Sequence, residues 1–174
     1  PFKNTRSMRV YGHKMFDTLN KSYSVLYGFH PLSKKEIDNY LDQYFSFLIP
    51  GFISIVVDQS DNVVAFGITM PSLSEAFKKA KGKLFPFGFI HILKDLKWNK
   101  IADLYLVGVL PEYQKLGVTA MVMSEIYQTY QKRGIEKVYT NPILENNKGL
   151  LNHMSDFQNL SKIRKRRRCY VKSI

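Results

Sequence analysis

Residues 104–134, LYLVGVLPEYQKLGVTAMVMSEIYQTYQKRG, hold the spacing Gln114-x-x-Gly117-x-Thr119-Ala120. An apolar run at 104–110 has the length and β-branched content of a buried strand. Pro111 stops it, because proline has no N–H for a sheet ladder. A short polar loop, 112–116, leads to Gly117. Val118, Met121, Val122, Ile126 and Tyr130 then recur at helical spacing as far as Arg133-Gly134, a basic last turn followed by a stopping glycine. Strand, tight loop and helix together aim the free N–H groups of the loop and first helical turn into one small space. Those donors lack intrahelical partners and carry the positive end of the helix dipole. The chemistry this suits is anion binding, phosphate above all. Gly117 lets a ligand approach the backbone closely. An ordinary βα crossover turn, which also favours glycine, is the plainer reading of the same residues.

Other chemistries find less support. No His, Cys, Asp or Glu residues have metal-ligand spacing, so no metal is expected. No nucleophile-elbow motif frames a serine. The single cysteine, Cys169, allows no intramolecular disulfide. Asp103 and Glu112, near the two ends of the 104–110 strand, are the carboxylates available as a general base. The basic tail, with Lys162, Arg164, Lys165, Arg166, Arg167 and Arg168, can bind phosphate backbones or lie as a solvated turn.

The elements that must position this loop are legible along the chain. Met8, Tyr11, Met15, Leu19, Tyr23 and Leu26 stripe a helix over 7–27, closed by Gly28. Ser33 and Glu36 form a capping-box pattern ahead of a second helix over 34–48. Strands at 52–57 and 63–70 flank a turn at 58–62 and predict a hairpin. The aromatic stretch 73–99 reads as two helical pieces around a kink, with Gly82, Pro86 and Gly88 in its middle. Its Phe-rich content suits core packing, or else a pocket or lid for an acceptor. A strand at 136–140, a short helix at 148–157 and a strand-like Cys169-Tyr170-Val171 follow.

The 114–120 segment resembles the acyl-CoA-binding motif of the GNAT superfamily of N-acyltransferases, Gln/Arg-x-x-Gly-x-Gly/Ala. Gln114 and Gly117 match, Thr119 departs, and Ala120 falls one place late. The lead-in Val107-x-Val109-x-Pro111-Glu112-Tyr113 and the helix behind it strengthen the likeness, and the order of elements is similar over nearly the whole chain. Asn146-x-x-Gly149-Leu150-x-x-His153 is similar to the superfamily's segment after its fifth strand.

The resemblance implies an α+β fold, also describable as mixed α/β. Its central mixed, mostly antiparallel sheet is flanked by helices and splayed in a V between the fourth and fifth strands. It implies acetyl-CoA or another acyl-CoA as cofactor. The pyrophosphate would rest on the backbone N–H groups of Lys115, Leu116, Gly117, Val118, Thr119 and Ala120, with Gln114 also in the cofactor site. The pantetheine arm would pair with Leu106, Val107, Gly108 and Val109, and Asn146 or Asn147 would touch the cofactor side. An N–H of Val107 or Gly108 would stabilise the oxyanion. His153, or Met154 by a count from Asn147, falls at the position of the usual proton-donating tyrosine. Tyr139 is a further candidate donor, and Glu112 a candidate base.

The length of 174 residues fits a single domain, and 45% hydrophobic content suits a globular one. A start at Pro1 is compatible with processing, trimming, or the second half of a longer protein. The net charge of +12 suits nucleic acid, an anionic membrane or a polyphosphate ligand. No apolar run spans a bilayer and no signal-peptide pattern opens the chain, so no membrane partner is expected and a cytoplasmic setting is the default. The function expected is N-acetyl transfer to a small-molecule or peptide amine. The alternatives are a catalytically weak domain of the same fold that binds CoA or a partner, and a basic nucleic-acid-binding protein, for which no helix–turn–helix, zinc-finger or RRM pattern speaks. The acceptor and oligomeric state are not written in the sequence.

Overall fold

The computed structural model describes residues 8–45, 48–147, 150–151, 160–168, 170 and 172. It divides into two compact units, Pro1–Tyr139 and Thr140–Ile174. In chain order the helices are α1 (Gly12–Tyr23), α2 (Lys34–Tyr44), α3 (Ser74–Lys79), α4 (Gly88–Trp98) and α5 (Val118–Arg133). The strands are β1 (Ile53–Val57), β2 (Val63–Pro71), β3 (Ile101–Val109) and β4 (Lys137–Thr140), in the spatial order β1-β2-β3-β4.

β2 is the spine of the first unit. Its residues are almost all buried, because it pairs antiparallel with β1 on one side and β3 on the other and has helices on both faces. On one face Phe66 and Ile68 pack with Met15 and Leu19 of α1 and with Ile37 and Leu41 of α2. On the other, Val64 and Ala65 pack with Val118, Val122 and Ile126 of α5. Gly67 sets the closeness of α5. A Cβ there would lie 2.7 Å from Val122 Cγ1 and 2.8 Å from Ile126 Cδ1, so only glycine admits this helix at this depth.

Several local expectations hold. Ser33 and Glu36 form the reciprocal capping box of α2, with the Ser33 N–H donating to Glu36 Oε2 at 2.8 Å. The first helix is shorter than its stripe, because Val10 and Tyr11 form a turn before Gly12. β3 begins at Ile101, three residues earlier than expected, since Ala102 is buried and pairs with Pro71. Asp103 therefore lies inside the strand. β4 starts beside the start of β3, where the Glu136 N–H donates to the Lys100 carbonyl at 2.7 Å. The α5 crossover makes this last pair run the same way, which gives a mixed sheet.

The expected helix at 148–157 is described only at Leu150 and Leu151, which are helical. Cys169 and Val171 of the expected terminal strand lie outside the described residues, and Tyr170 has no regular structure. Core packing, one of the two readings of the stretch 73–99, fails for several of its rings. Phe77, Phe85, Phe87 and Trp98 are exposed, because α3 and α4 form a hairpin with no layer of the first unit's described residues over its outer face.

The β1–β2 turn makes a pH prediction. Asp58 Oδ1 accepts from the Ser60 and Asn62 N–H groups, and Oδ2 accepts from Asn62 Nδ2. These bonds, the Asn62 side chain's first, hold the Asp58 carboxyl below its ordinary value of 3.8. A group with a depressed folded pKa stabilises above its unfolded pKa and loses that contribution as pH falls through the folded value. Asp58→Ala should therefore lower Tm at neutral pH and flatten the fall of Tm below about pH 4. A Tm series from pH 7 downward checks it, and parallel curves for the two proteins would refute it.

Candidate active site

The site is built from the second half of β3 and the loop that follows. The Leu110 N–H donates to the Val64 carbonyl at 2.9 Å. In an antiparallel pair the hydrogen-bonded positions alternate. With the register Ala65↔Val109, Phe66↔Gly108, Gly67↔Val107 and Ile68↔Leu106, Gly108 and Leu106 turn their backbone groups to β2. Val107 and Val109 turn theirs the other way. β4 is only four residues long and begins level with the start of β3, so residues 106–109 run on with no strand at that side among the described residues. The sheet opens there, between its third and fourth described strands.

Both carbonyls on this open edge are already engaged. Tyr23 Oη, at the end of α1, donates to the Val107 carbonyl at 3.0 Å. Gln114 Nε2 donates to the Val109 carbonyl at 3.2 Å. The N–H groups of Val107 and Val109 face away from β2, along this edge. Burial pushes the Tyr23 phenol pKa up, opposed by its bond to Val107, so Tyr23 stays a neutral donor. The sequence placed Tyr23 in a packing stripe, and only its pairing with a residue 84 positions away reveals it at the site.

After β3 the chain makes a 3-10 turn at Pro111–Tyr113, and Glu112 lies on it, exposed. Lys115 at φ 72° and Gly117 at φ 75° then take left-handed conformations. Alternating hands in successive residues turn backbone N–H groups into a concave anion nest. α5 starts at Val118 with no side-chain cap, and its first closing bond runs from the Met121 N–H to the Gly117 carbonyl at 3.2 Å. The N–H groups of Val118, Thr119 and Ala120 thus have no acceptor among the described residues. A Cβ built on Gly117 meets nothing within 4 Å, so the space over the nest is open. Leu116 and Lys115 are exposed beside it.

Tyr139, Asn146, Asn147 and His153 are the remaining expected site residues. From the bond at Lys100, Tyr139 is about level with Asp103, roughly 13 Å along the strand from Val107 at 3.3 Å per residue. Asn146 is exposed, and Asn147 Oδ1 accepts from the Leu150 N–H at 3.2 Å as a local cap in the second unit. His153 and Met154 lie outside the described residues. Among the described residues no group of three His, Cys, Asp or Glu side chains is placed to hold a metal ion.

The sequence model of the Acetyltransferase (GNAT) family matches residues 13–152, which spans both the open edge and the nest. The chain belongs to the GNAT acetyltransferase family. This GNAT chain is 28% identical over 142 residues to Protein YghO of Escherichia coli (strain K12), covering 78% of this chain and 36% of YghO. It thus spans about a third of that curated relative. Among solved structures it resembles the integron cassette protein VCH_CASS6 from the mobile metagenome of V. cholerae, at 12% identity and TM-score 0.57, covering 95% of this chain and 88% of that one. It also resembles an aminoglycoside acetyltransferase, meta-AAC0020, from an uncultured soil metagenomic sample, at 12% and 0.55, covering 95% and 91%. A third is the ribosomal-protein-alanine N-acetyltransferase of Brucella melitensis biovar Abortus 2308, at 10% and 0.52, covering 95% and 94%. At these identities the likeness is one of fold.

Proposed function

We propose that this GNAT domain transfers an acetyl group from acetyl-CoA to an amine. One observation carries the proposal: the open edge of β3, with its outward Val107 and Val109 N–H groups, runs directly into the nest at Lys115 and Gly117. A ligand that fits both needs an anionic end and an extended, hydrogen-bonding arm, as CoA has. When bound, acetyl-CoA supplies an activated acyl thioester.

The chain's own residues then have distinct tasks. The N–H groups of Lys115, Gly117, Val118, Thr119 and Ala120 hold a pyrophosphate, with the α5 dipole in support. The Lys115 ammonium adds a mobile positive charge. Val107 and Val109 donate to the arm. Of the two oxyanion donors the sequence offered, the register favours Val107, because the Gly108 N–H is turned to β2. A fixed N–H aimed at developing negative charge lowers the barrier without having to reorganise. Tyr23 holds the Val107 peptide from its carbonyl side and is a positioning residue for that donor. His153 remains the proposed proton donor to the leaving thiolate, with Tyr139 and Glu112 behind it, and Asn146 and Asn147 the proposed contacts on the cofactor side. The acceptor is a small-molecule or peptide amine in its neutral form.

The test is CoA release, followed with a thiol reagent, across aminoglycosides, polyamines and peptide N-termini. Acetyl-CoA-dependent release with at least one amine is expected. Binding of acetyl-CoA with no release on any amine would support a binding domain of the same fold instead. Tyr23→Phe should lower kcat about tenfold, by loosening the Val107 peptide, and change KM for acetyl-CoA much less. Equal losses in stability and in both constants would make Tyr23 merely structural.

A further inference from the structure

The hairpin of α3 and α4 exposes what a water-facing surface usually hides. Its connecting turn, residues 81–87, is exposed at every position and carries Leu84, Phe85 and Phe87. Phe85 is 74% exposed and Phe87 68%. On α4, Phe89, Ile90, Leu93 and Trp98 are exposed while Ile92 and Leu96 are half-buried, so apolar side chains reach solvent along this helix too. Phe77 of α3 adds another exposed ring. The five aromatic residues alone present roughly 600 Å², taking about 200 Å² for a whole residue. Exposed apolar side chains scattered singly are ordinary, but this many on one hairpin mark an interaction surface.

The charges on the same hairpin have one dominant sign. Lys78, Lys79, Lys81, Lys83, Lys94 and Lys97 are all exposed, against Glu75 and a half-buried Asp95. Lys97 Nζ lies 4.7 Å from the centre of the Trp98 ring. Aromatic rings with lysines around them suit the boundary between lipid headgroups and acyl chains. The rings enter the boundary and the lysine stems reach back to anionic headgroups. Each such lysine adds attraction to an anionic surface, weakened by salt.

We propose that the α3–α4 hairpin docks this domain on an anionic lipid bilayer, lying on it without crossing it. No described helix is long and apolar enough to cross a membrane. The proposal departs from the expectation of no membrane partner, which rested on the absence of a spanning run. Two features favour a bilayer over other occupants. A turn exposed all round is a protrusion, and a fluid surface closes around it where a protein partner would need a matching pocket. A second copy meeting this face across a twofold axis would set lysines against lysines.

Trp98 is the only tryptophan in the chain, so its fluorescence reports on this hairpin alone. The full chain would be mixed with vesicles of phosphatidylcholine, with and without phosphatidylglycerol, and followed by co-sedimentation and Trp98 emission. Binding to the anionic vesicles with a blue-shifted emission, weakened by salt, is the expected result. Phe85→Ser/Phe87→Ser should weaken it about tenfold or more, while Val25→Ser, at another exposed apolar site, leaves it unchanged. Both changes are at exposed residues, so folding is retained and circular dichroism verifies it. Failure of the folded protein to bind anionic vesicles would overturn the proposal. So would binding that the double variant leaves intact, which would move the contact to the basic residues near 162–168. Self-association abolished by the double variant, without vesicle binding, would give the face to a second copy and overturn it as well.

Discussion

A Gly117→Glu protein should fold, melt a few degrees lower, and show no thermal response to acetyl-CoA. Gly117 sits at φ 75° with nothing within 4 Å of an added Cβ. The substitution therefore meets no clash and carries only the cost of a left-handed non-glycine residue, about 1–2 kcal/mol. For a domain of this size that is about 2–8 °C in Tm. The larger effect is on binding. A carboxylate would stand over the unpartnered N–H groups of Val118, Thr119 and Ala120, where a pyrophosphate is proposed to sit. Affinity for acetyl-CoA should fall roughly 100-fold or more, about 2.8 kcal/mol, and the ligand-induced rise in Tm should vanish with it. Gly134 provides the matched control. It has φ 64° at the other end of α5 and also has nothing within 4 Å. Gly134→Gln should lose a similar amount of stability and keep the full acetyl-CoA shift. A Gly117→Glu protein that still responds fully would remove the nest from the site, whatever its stability.

Phe66→Ala should destabilise the fold more than Gly117→Glu, Tyr23→Phe or Asp58→Ala. Phe66 is fully buried in β2, among the α1 and α2 side chains. Removing a buried phenylalanine ring costs about 3–5 kcal/mol, a large part of the roughly 5–15 kcal/mol that holds a typical domain together. The Tm should fall by about 10 °C or more. The site is coupled to this ring through Gly108. A Cβ on Gly108 would lie 2.5 Å from Phe66 Cε1 and 2.9 Å from Ser22 Oγ. Gly108→Ala alone therefore strains the Val107–Gly108 backbone against the ring. In the double variant Phe66→Ala/Gly108→Ala the clash with the ring is gone. Its loss should be smaller than the sum of the two single losses by about 1 kcal/mol or more. Denaturant melts of the four proteins measure this, and additive losses would show that the ring does not set the position of the strand.

Local chemistry made much of this legible in advance. The strand–loop–helix at 104–134, the glycine that opens the nest, the Ser33 capping box and the Asp58 turn all depend on residues within a few positions of one another. The family likeness followed from the same short stretch and from the order of elements, and the match over residues 13–152 agrees with it.

What the sequence left open was decided by partners far along the chain. Whether Val107 or Gly108 faces the open edge depends on the register with β2, and a shift of one residue would exchange them. That Tyr23 is at the site and not merely in a helix stripe depends on where α1 crosses β3. The Phe-rich hairpin shows the same limit. Its composition states that the side chains are apolar, but burial is a relation between layers, and among the described residues no layer covers several of them. Spacing determined which groups this protein has, and non-local packing determined which way they face.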